Sequence, residues 1–416
     1  MLQKANVTRI RAWLEKINTF NSTPGAGTTR VLFTKEELAS RAYIKEEMNK
    51  LGLEVSEDAI GNLFGVLRGK NRKFAPVWTG SHIDTVLNAG MFDGMAGIVS
   101  GMEALRLIKE SGIVFKRDLA VVVYTSEEPT RFGLSCLGSR AMAGELTLED
   151  TRSIRDEEGN SLYEVLGTLG YDYKEFAAVK REKGDVYAAV ELHIEQNLHL
   201  DKEGIPIGIV KGICAPTIYE VTINGCQSHA GGTSMGDRHD AFTAASELTL
   251  VLEKLARESK GTYVTGTVGK VNVLPNAVNV IPGEVHMSID IRSIDVESKK
   301  MVLNKLFTEK ERIESERGVI ISLDLENDDI PLKCDENIIR ILKNNCENLG
   351  ITYMDLISGP YHDSLFVGRF AKTAMLFVPS KNGISHSKEE WTDFEDIALG
   401  TDVLAHTLLE LANKDN

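Results

Sequence analysis

Short apolar runs alternate with amphipathic stretches through most of this chain. That is the pattern of an α/β protein, in which buried strands are joined by helices with one wet face. Residues 75–79, 119–124, 186–192 and 373–378 read as buried strands. Residues 97–109 have helical spacing, with Ile98, Met102, Leu105 and Ile108 on one side. Thr34-Lys35-Glu36-Glu37 has the form of a capping box opening a helix toward Lys50, and Gly52 is placed to stop it. Residues 335–349 read as a further helix.

Between residues 212 and 328 the texture differs. Residues 218–223, 266–273 and 285–291 alternate polar and apolar side chains, and residues 240–257 form a long helical stretch. Alternation predicts antiparallel strands with one covered face. The chain of 416 residues, too long for one compact core, therefore divides in two. Residues 1–211 and 329–416 form a larger α/β domain, and residues 212–328 a smaller inserted α+β domain.

Charge narrows the partners. Lys and Arg number 47 against 61 Asp and Glu, a formal net charge of -14. That balance argues against nucleic acid and against anionic membrane surfaces, both of which need a basic face. The beginning, MLQKANVTRIRAWLEKINTF, is interrupted by charges and lacks the apolar core of a signal peptide. No stretch approaches the roughly 18 apolar residues of a membrane span. The five cysteines, Cys136, Cys214, Cys226, Cys334 and Cys346, are scattered and show no CxxC spacing. Reduced thiols in the cytoplasm are the expectation.

Candidate chemistry sits just beyond the apolar runs. Gly80-Ser81-His82-Ile83-Asp84 follows a strand, and in extended chain Asp84 points to the same side as His82, where it could orient the imidazole. Asp93 lies between glycines ahead of a helix, where a carboxylate can bridge two cations. Ser126-Glu127-Glu128-Pro129 puts two carboxylates at a strand end; one can ligate metal while the other serves as base for an activated water. His193 in Glu191-Leu192-His193-Ile194-Glu195-Gln196 and His386 in Gly383-Ile384-Ser385-His386 also follow strands. Taken singly, a histidine near an aspartate is more often a surface pair, and the two adjacent glutamates read first as a solvated loop. Together, His82, Asp93, Glu128, His193 and His386 make a mixed nitrogen and oxygen set suited to Zn²⁺, Mn²⁺, Co²⁺ or Ni²⁺ rather than Ca²⁺.

The ordered set GSHIDTV, FDGMAGI, SEEPTRFG, ELHIEQ, HAG and ISHS resembles the M20 metallopeptidase-like amidohydrolases, in particular their hydantoinase/carbamoylase branch. That branch holds N-carbamoyl-L-amino acid hydrolases, allantoate amidohydrolases and ureidoglycolate amidohydrolases. The resemblance implies a zinc-peptidase-like catalytic domain with an inserted dimerisation, or lid, domain, and a homodimer. It implies two divalent transition-metal ions, Mn²⁺ or Zn²⁺ with Co²⁺ or Ni²⁺ as alternatives. His82, Asp93 and His193 would hold one ion, and Asp93, Glu128 and His386 the other. Glu127 would be the general base, and His229 would help polarise the substrate carbonyl. Gln196, His229, Asn276, Arg292 and His362 would contact a small ureido or carbamoyl acid, with Arg292 gripping its carboxylate. An aminoacylase or dipeptidase of the same family, or a non-catalytic ureido-acid-binding protein, is the alternative. Three positions depart from the family pattern. Ser234 stands where the family has proline, Asn197 where it usually has glycine, and Tyr361 where it has a small residue beside His362.

Overall fold

The computed structural model describes residues 2–259 and 263–415. The chain forms two compact units. One comprises Met1–Lys211, Cys334–Ser358 and His362–Asn416; the other comprises Gly212–Lys333 and Gly359–Tyr361. The second unit thus takes in three residues from well beyond position 328, where the alternating texture ends.

The first unit is built on a mixed sheet. Its centre is a run of four parallel strands in the order Leu119–Tyr124, Val77–His82, Ala188–Ile194 and Lys372–Val378. Leu63–Leu67 adds antiparallel at one side, followed by Glu54–Glu57. Ile207–Ile213 pairs antiparallel with Lys372–Val378 at the other. The central strands are buried along almost their whole length, as strands covered on both faces must be. The helices Met95–Glu110 and Phe394–Asn413 pack on each other and on these strands. Trp78, Ala120, Val122, Tyr124 and Ala189 belong instead to a second apolar cluster with Phe64, Leu137, Met142, Leu166 and Phe370. Alternate residues of one strand therefore feed two different cores.

Two element boundaries differ from the sequence reading in ways that matter. The first central strand starts at Val77 because Pro76 has no N–H to give the ladder, and it runs through His82. The strand Ala188–Ile194 includes His193 rather than ending before it. Thr34 caps the helix Lys35–Lys50 by accepting from the Glu37 N–H, but the Glu37 carboxylate reaches the Phe33 N–H and Arg41 instead of closing the box on Thr34.

The second unit is an antiparallel sheet in the order Val271–Leu274, Glu284–Ser293, Ala215–Asn224 and Ile320–Asp328. Val264–Thr267 also pairs with Glu284–Ser293, so the expected single strand over 266–273 is two, both on the same neighbour. In Glu284–Ser293 burial alternates residue by residue. Val285, Met287, Ile289 and Ile291 meet Leu248 and Leu252 of the helix Ala241–Glu258 and Val302, Leu306 and Ile313 of the helix Val296–Arg317. The latter helix, 22 residues long, was not apparent from the sequence pattern. A separate two-stranded ribbon pairs Ser228–His229 with Val280–Ile281. Among the described residues, no helix is long and apolar enough to cross a membrane.

Gly80 sits in the middle of the parallel run, two residues before His82. A Cβ at this position would overlap the Val122 carbonyl oxygen, which cannot retreat without breaking the ladder. Gly80→Ala is expected to destabilise the protein by about 1–3 kcal/mol, the usual scale for overpacking. Urea unfolding of the variant beside the parent measures it, and an unchanged midpoint would contradict this account of the strand spacing.

Candidate metal centre

Parallel strands all end on one side of a sheet, and loops leaving those ends can converge. Here His82 is the last residue of its strand, Glu127 and Glu128 follow the strand ending at Tyr124, and His193 lies one residue from its strand's end. His386 lies in the loop after Val378, and Asp93 precedes the helix that starts at Met95. These loops meet. His82 Nε2 is 3.5 Å and His193 Nε2 3.2 Å from Asp93 Oδ1. His386 Nε2 is 3.1 Å from Asp93 Oδ2 and 3.4 Å from Glu128 Oε1. Donor atoms of His82, Asp93 and His193 lie within 4.8 Å of one another, as do those of Asp93, Glu128 and His386. Asp93 belongs to both groups.

The two buried imidazoles are held in one tautomer. His82 Nδ1 is 3.0 Å from the Asp84 carbonyl and His193 Nδ1 3.0 Å from the Ile194 carbonyl. A carbonyl only accepts, so each Nδ1 carries a proton, and it is Nε2 that faces Asp93. With Nε2 deprotonated, each ring is in the state a metal ligand needs.

The carboxylates are crowded. Burial raises the Glu127 carboxyl well above its usual range; His82 opposes the shift, and Glu128, Asp363 and Asp93 reinforce it. Burial and then Asp93 push Glu128 up to about 7. Burial also raises Asp93, but hydrogen bonds with His193, His386 and His82 outweigh it and hold that carboxyl well below normal. His386, hydrogen-bonded to Asp93, is pushed up to about 9. Buried like charges of this kind are costly without a compensating cation. The imidazole nitrogens, the carboxylate oxygens and their convergence all fit divalent transition-metal ions.

Asp84 acts differently from the sequence expectation. Its carboxylate accepts from the backbone N–H groups of Glu127 (3.3 Å) and Glu128 (3.0 Å), while its carboxylate oxygen stands 3.7 Å from His82 Nδ1. It is the main-chain carbonyl of Asp84 that orients His82; the side chain anchors the neighbouring pair of glutamates. Ser126, just before them, takes a positive φ of 56°.

Other side chains gather round the centre. Gln196, at φ 55°, donates from Nε2 to Asp93 Oδ2 at 2.9 Å. His362 is buried, with Nε2 3.0 Å from Ser358 Oγ and its ring against His193 at 4.5 Å between centroids. Its neighbour Asp363 takes a hydrogen bond from Ser139 rather than pairing with it. Glu191, also buried, accepts from Ser81 Oγ and Ser364 Oγ. Spacing did not single out Glu390, which accepts from the Phe92 and Asp93 N–H groups and from Ser385 Oγ. Its one signal is a second glutamate shortly after His386.

His229, Asn276 and Arg292 belong to the second unit. His229 Nδ1 accepts from the Gly231 and Gly232 N–H groups at 3.0 Å each, which puts the proton of the neutral ring on Nε2. Asn276 is an exposed turn residue at φ 58°. Arg292 is partnered: Nη2 and Nε reach Asp290 at 2.9 to 3.2 Å, and Nη1 reaches the Gly359 carbonyl at 3.4 Å. Of the departures from the family pattern, Asn197 is accommodated because the positive φ falls on Gln196 before it.

Comparison with known proteins adds an independent line. The chain is 40% identical over 405 residues to a ureidoglycolate hydrolase of Oryza sativa subsp. japonica, covering 96% of this chain and 83% of that one. It is 38% identical to an N-carbamoyl-L-amino acid amidohydrolase of Geobacillus stearothermophilus, covering 97% and 98%. The crystal structure of AtUAH in complex with glyoxylate matches with a TM-score of 0.86 at 37% identity, covering 99% of each chain. The model of peptidase family M20/M25/M40 matches residues 78–410, a span that includes the whole donor set, and the chain belongs to that family.

Proposed function

We propose that this protein is a metal-dependent amidohydrolase that cleaves a C–N bond of a small ureido or carbamoyl acid, releasing ammonia and CO₂. The observation that carries the reading is Glu127. It is a buried carboxylate adjacent in the chain to a member of the donor set, yet it belongs to neither donor group, so it is free to handle protons. The relatives named for ureidoglycolate and for N-carbamoyl-L-amino acids support the substrate class. Both kinds of substrate carry a urea-type carbonyl and a free carboxylate.

Two divalent cations fit, one at His82, Asp93 and His193 and one at Asp93, Glu128 and His386; Mn²⁺ or Zn²⁺ come first, then Co²⁺ or Ni²⁺. Bound there, they would supply Lewis acidity toward water and the substrate carbonyl. Glu127 accepts the proton of the attacking water as it adds to the ureido carbon. It returns that proton to the leaving nitrogen as the C–N bond breaks. The carbamate so released falls apart to CO₂ and ammonia. His229, with its proton on Nε2, is the proposed donor for the oxyanion. Arg292 is the proposed partner of the substrate carboxylate, and Asn276, Gln196 and His362 are proposed as further polar contacts.

The same unit is our candidate for pairing two copies. Val271–Leu274 is a sheet edge with Val271 and Leu274 exposed, and Leu250 and Phe242 are exposed on the helix Ala241–Glu258. Unpaired edges with apolar side chains invite a partner strand. A two-fold dimer is expected by sedimentation at micromolar concentration, and a fully active monomer would refute it.

A panel of ureidoglycolate, allantoate, N-carbamoyl amino acids, N-acetyl amino acids and dipeptides tests the function directly. Ammonia release from ureido substrates is expected after loading with Mn²⁺ and is expected to vanish on chelation. Glu127→Gln should keep its metal and lose turnover by at least about 10²-fold, the usual scale for a general base. Turnover confined to acetyl or peptide substrates would replace this reading with an aminoacylase or dipeptidase. Arg292→Lys is expected to raise KM for carboxylate substrates by at least about tenfold, since an ammonium cannot copy the planar fork. An uncharged amide analogue should be indifferent to the change; equal losses on both would make Arg292 a support of the fold.

A further inference from the structure

Burying a carboxylate is costly unless cations or several donors meet it. Glu390 is 4% exposed, and among the described residues no lysine or arginine forms an ion pair with it. Burial and then the charge of Asp93 raise its carboxyl to about 7. What holds Glu390 in place is therefore its set of hydrogen bonds, and these have a pattern. Oε1 accepts from the backbone N–H groups of Phe92 at 3.0 Å and Asp93 at 3.1 Å. Oε2 accepts from Ser385 Oγ at 2.9 Å. The first two bonds fix the backbone that presents the Asp93 carboxylate. The third fixes the residue immediately before His386.

A second observation points the same way. A Cβ on Gly90 would overlap the Glu390 side chain, so the loop ahead of Asp93 leaves room for this carboxylate and no more. A third concerns Ser385. Its Oγ is also 3.2 Å from Asp93 Oδ2, yet a hydroxyl has one proton and can donate to only one carboxylate at a time. Glu390 competes for that proton and leaves Asp93 Oδ2 to Gln196 Nε2 at 2.9 Å and His386 Nε2 at 3.1 Å. The hydrogen-bond partners of the Glu390 carboxylate all belong to the two loops that carry Asp93 and His386.

We infer that Glu390 is a positioning residue for the metal centre, clamping the Asp93 loop and the His386 loop in the mutual geometry that the Asp93, Glu128 and His386 group requires. The inference rests on the metal-centre reading above. It assigns the clamp to two distinct functions of one side chain. The oxygen toward residues 92 and 93 must accept; the oxygen toward Ser385 need only engage a hydroxyl, which can equally receive a hydrogen bond. A glutamine satisfies both requirements and an alanine neither.

The test uses metal binding rather than turnover. Metal-free protein, its fold checked by circular dichroism, is titrated with Co²⁺ and followed by calorimetry and by the visible absorption of the bound ion. Parent, Glu390→Ala, Glu390→Gln, His386→Ala and the double variant Glu390→Ala/His386→Ala are compared. Glu390→Ala is expected to weaken one binding event by about 10–100-fold, the scale set by partners that orient metal ligands, and to change the absorption spectrum. Glu390→Gln is expected to restore most of both. In the His386→Ala background the alanine change at 390 should add little, because the two act on one group. A parent-like affinity and spectrum in Glu390→Ala overturns the inference while leaving the metal centre intact. So does full additivity in the double variant. A parent protein that takes up no Co²⁺ overturns the metal-centre reading, and the clamp with it.

Discussion

Asp93, Glu127, Glu128 and Glu390 are buried at one end of a parallel sheet, and among the described residues only imidazoles stand within ion-pairing distance of any of them. Gathering negative charge in a region of low dielectric works against folding. The arrangement around them is organised to bear that load. Backbone N–H groups meet Asp84 and Glu390, hydroxyls meet Glu191 and Glu390, and three imidazoles turn Nε2 toward Asp93. What these donors leave unbalanced is negative charge that a bound cation would offset.

The sheet makes this possible. Four parallel strands deliver their ends to one place, and apolar side chains on both faces leave no freedom for the strands to slide. A slip of one residue would reverse the facing of every side chain along a strand. The positions of His82 and His193 thus inherit the precision of two packed cores, while Asp93, Glu128 and His386 sit in loops whose geometry has to be set by hydrogen bonds.

Much of this was legible in the sequence, for a physical reason. Apolar runs name strands, and three of the few histidines fall beyond such runs beside small or acidic residues; it was that coincidence, not any one position, that marked His82, His193 and His386. The second unit's alternation at residues 285–291 likewise mapped onto its covered face. The helix Val296–Arg317 did not show, because its buried side chains, Val302, Leu303, Leu306 and Ile313, are sparse among lysines and glutamates. Glu390 escaped, and the Asp84 carboxylate was given the wrong partner, for a different reason. Each works by accepting hydrogen bonds from the main chain of residues far away in sequence, and main-chain donors carry no residue-type signature. Side-chain chemistry can be read from letters; a carboxylate's claim on someone else's backbone cannot.

The strand order carries a consequence for time. Lys372–Val378 lies inside the sheet, between Ala188–Ile194 and Ile207–Ile213, although it follows both in the chain. A nascent chain grows from its N-terminus, so the gap between those two strands stays open until residue 378 has been made. His386 and Glu390 emerge later still. Until then His82, Asp93 and His193 stand without His386, which completes the second donor group, and without Glu390. The proposed centre is therefore finished only when nearly the whole chain has been made, and its assembly belongs to the end of synthesis rather than to its course.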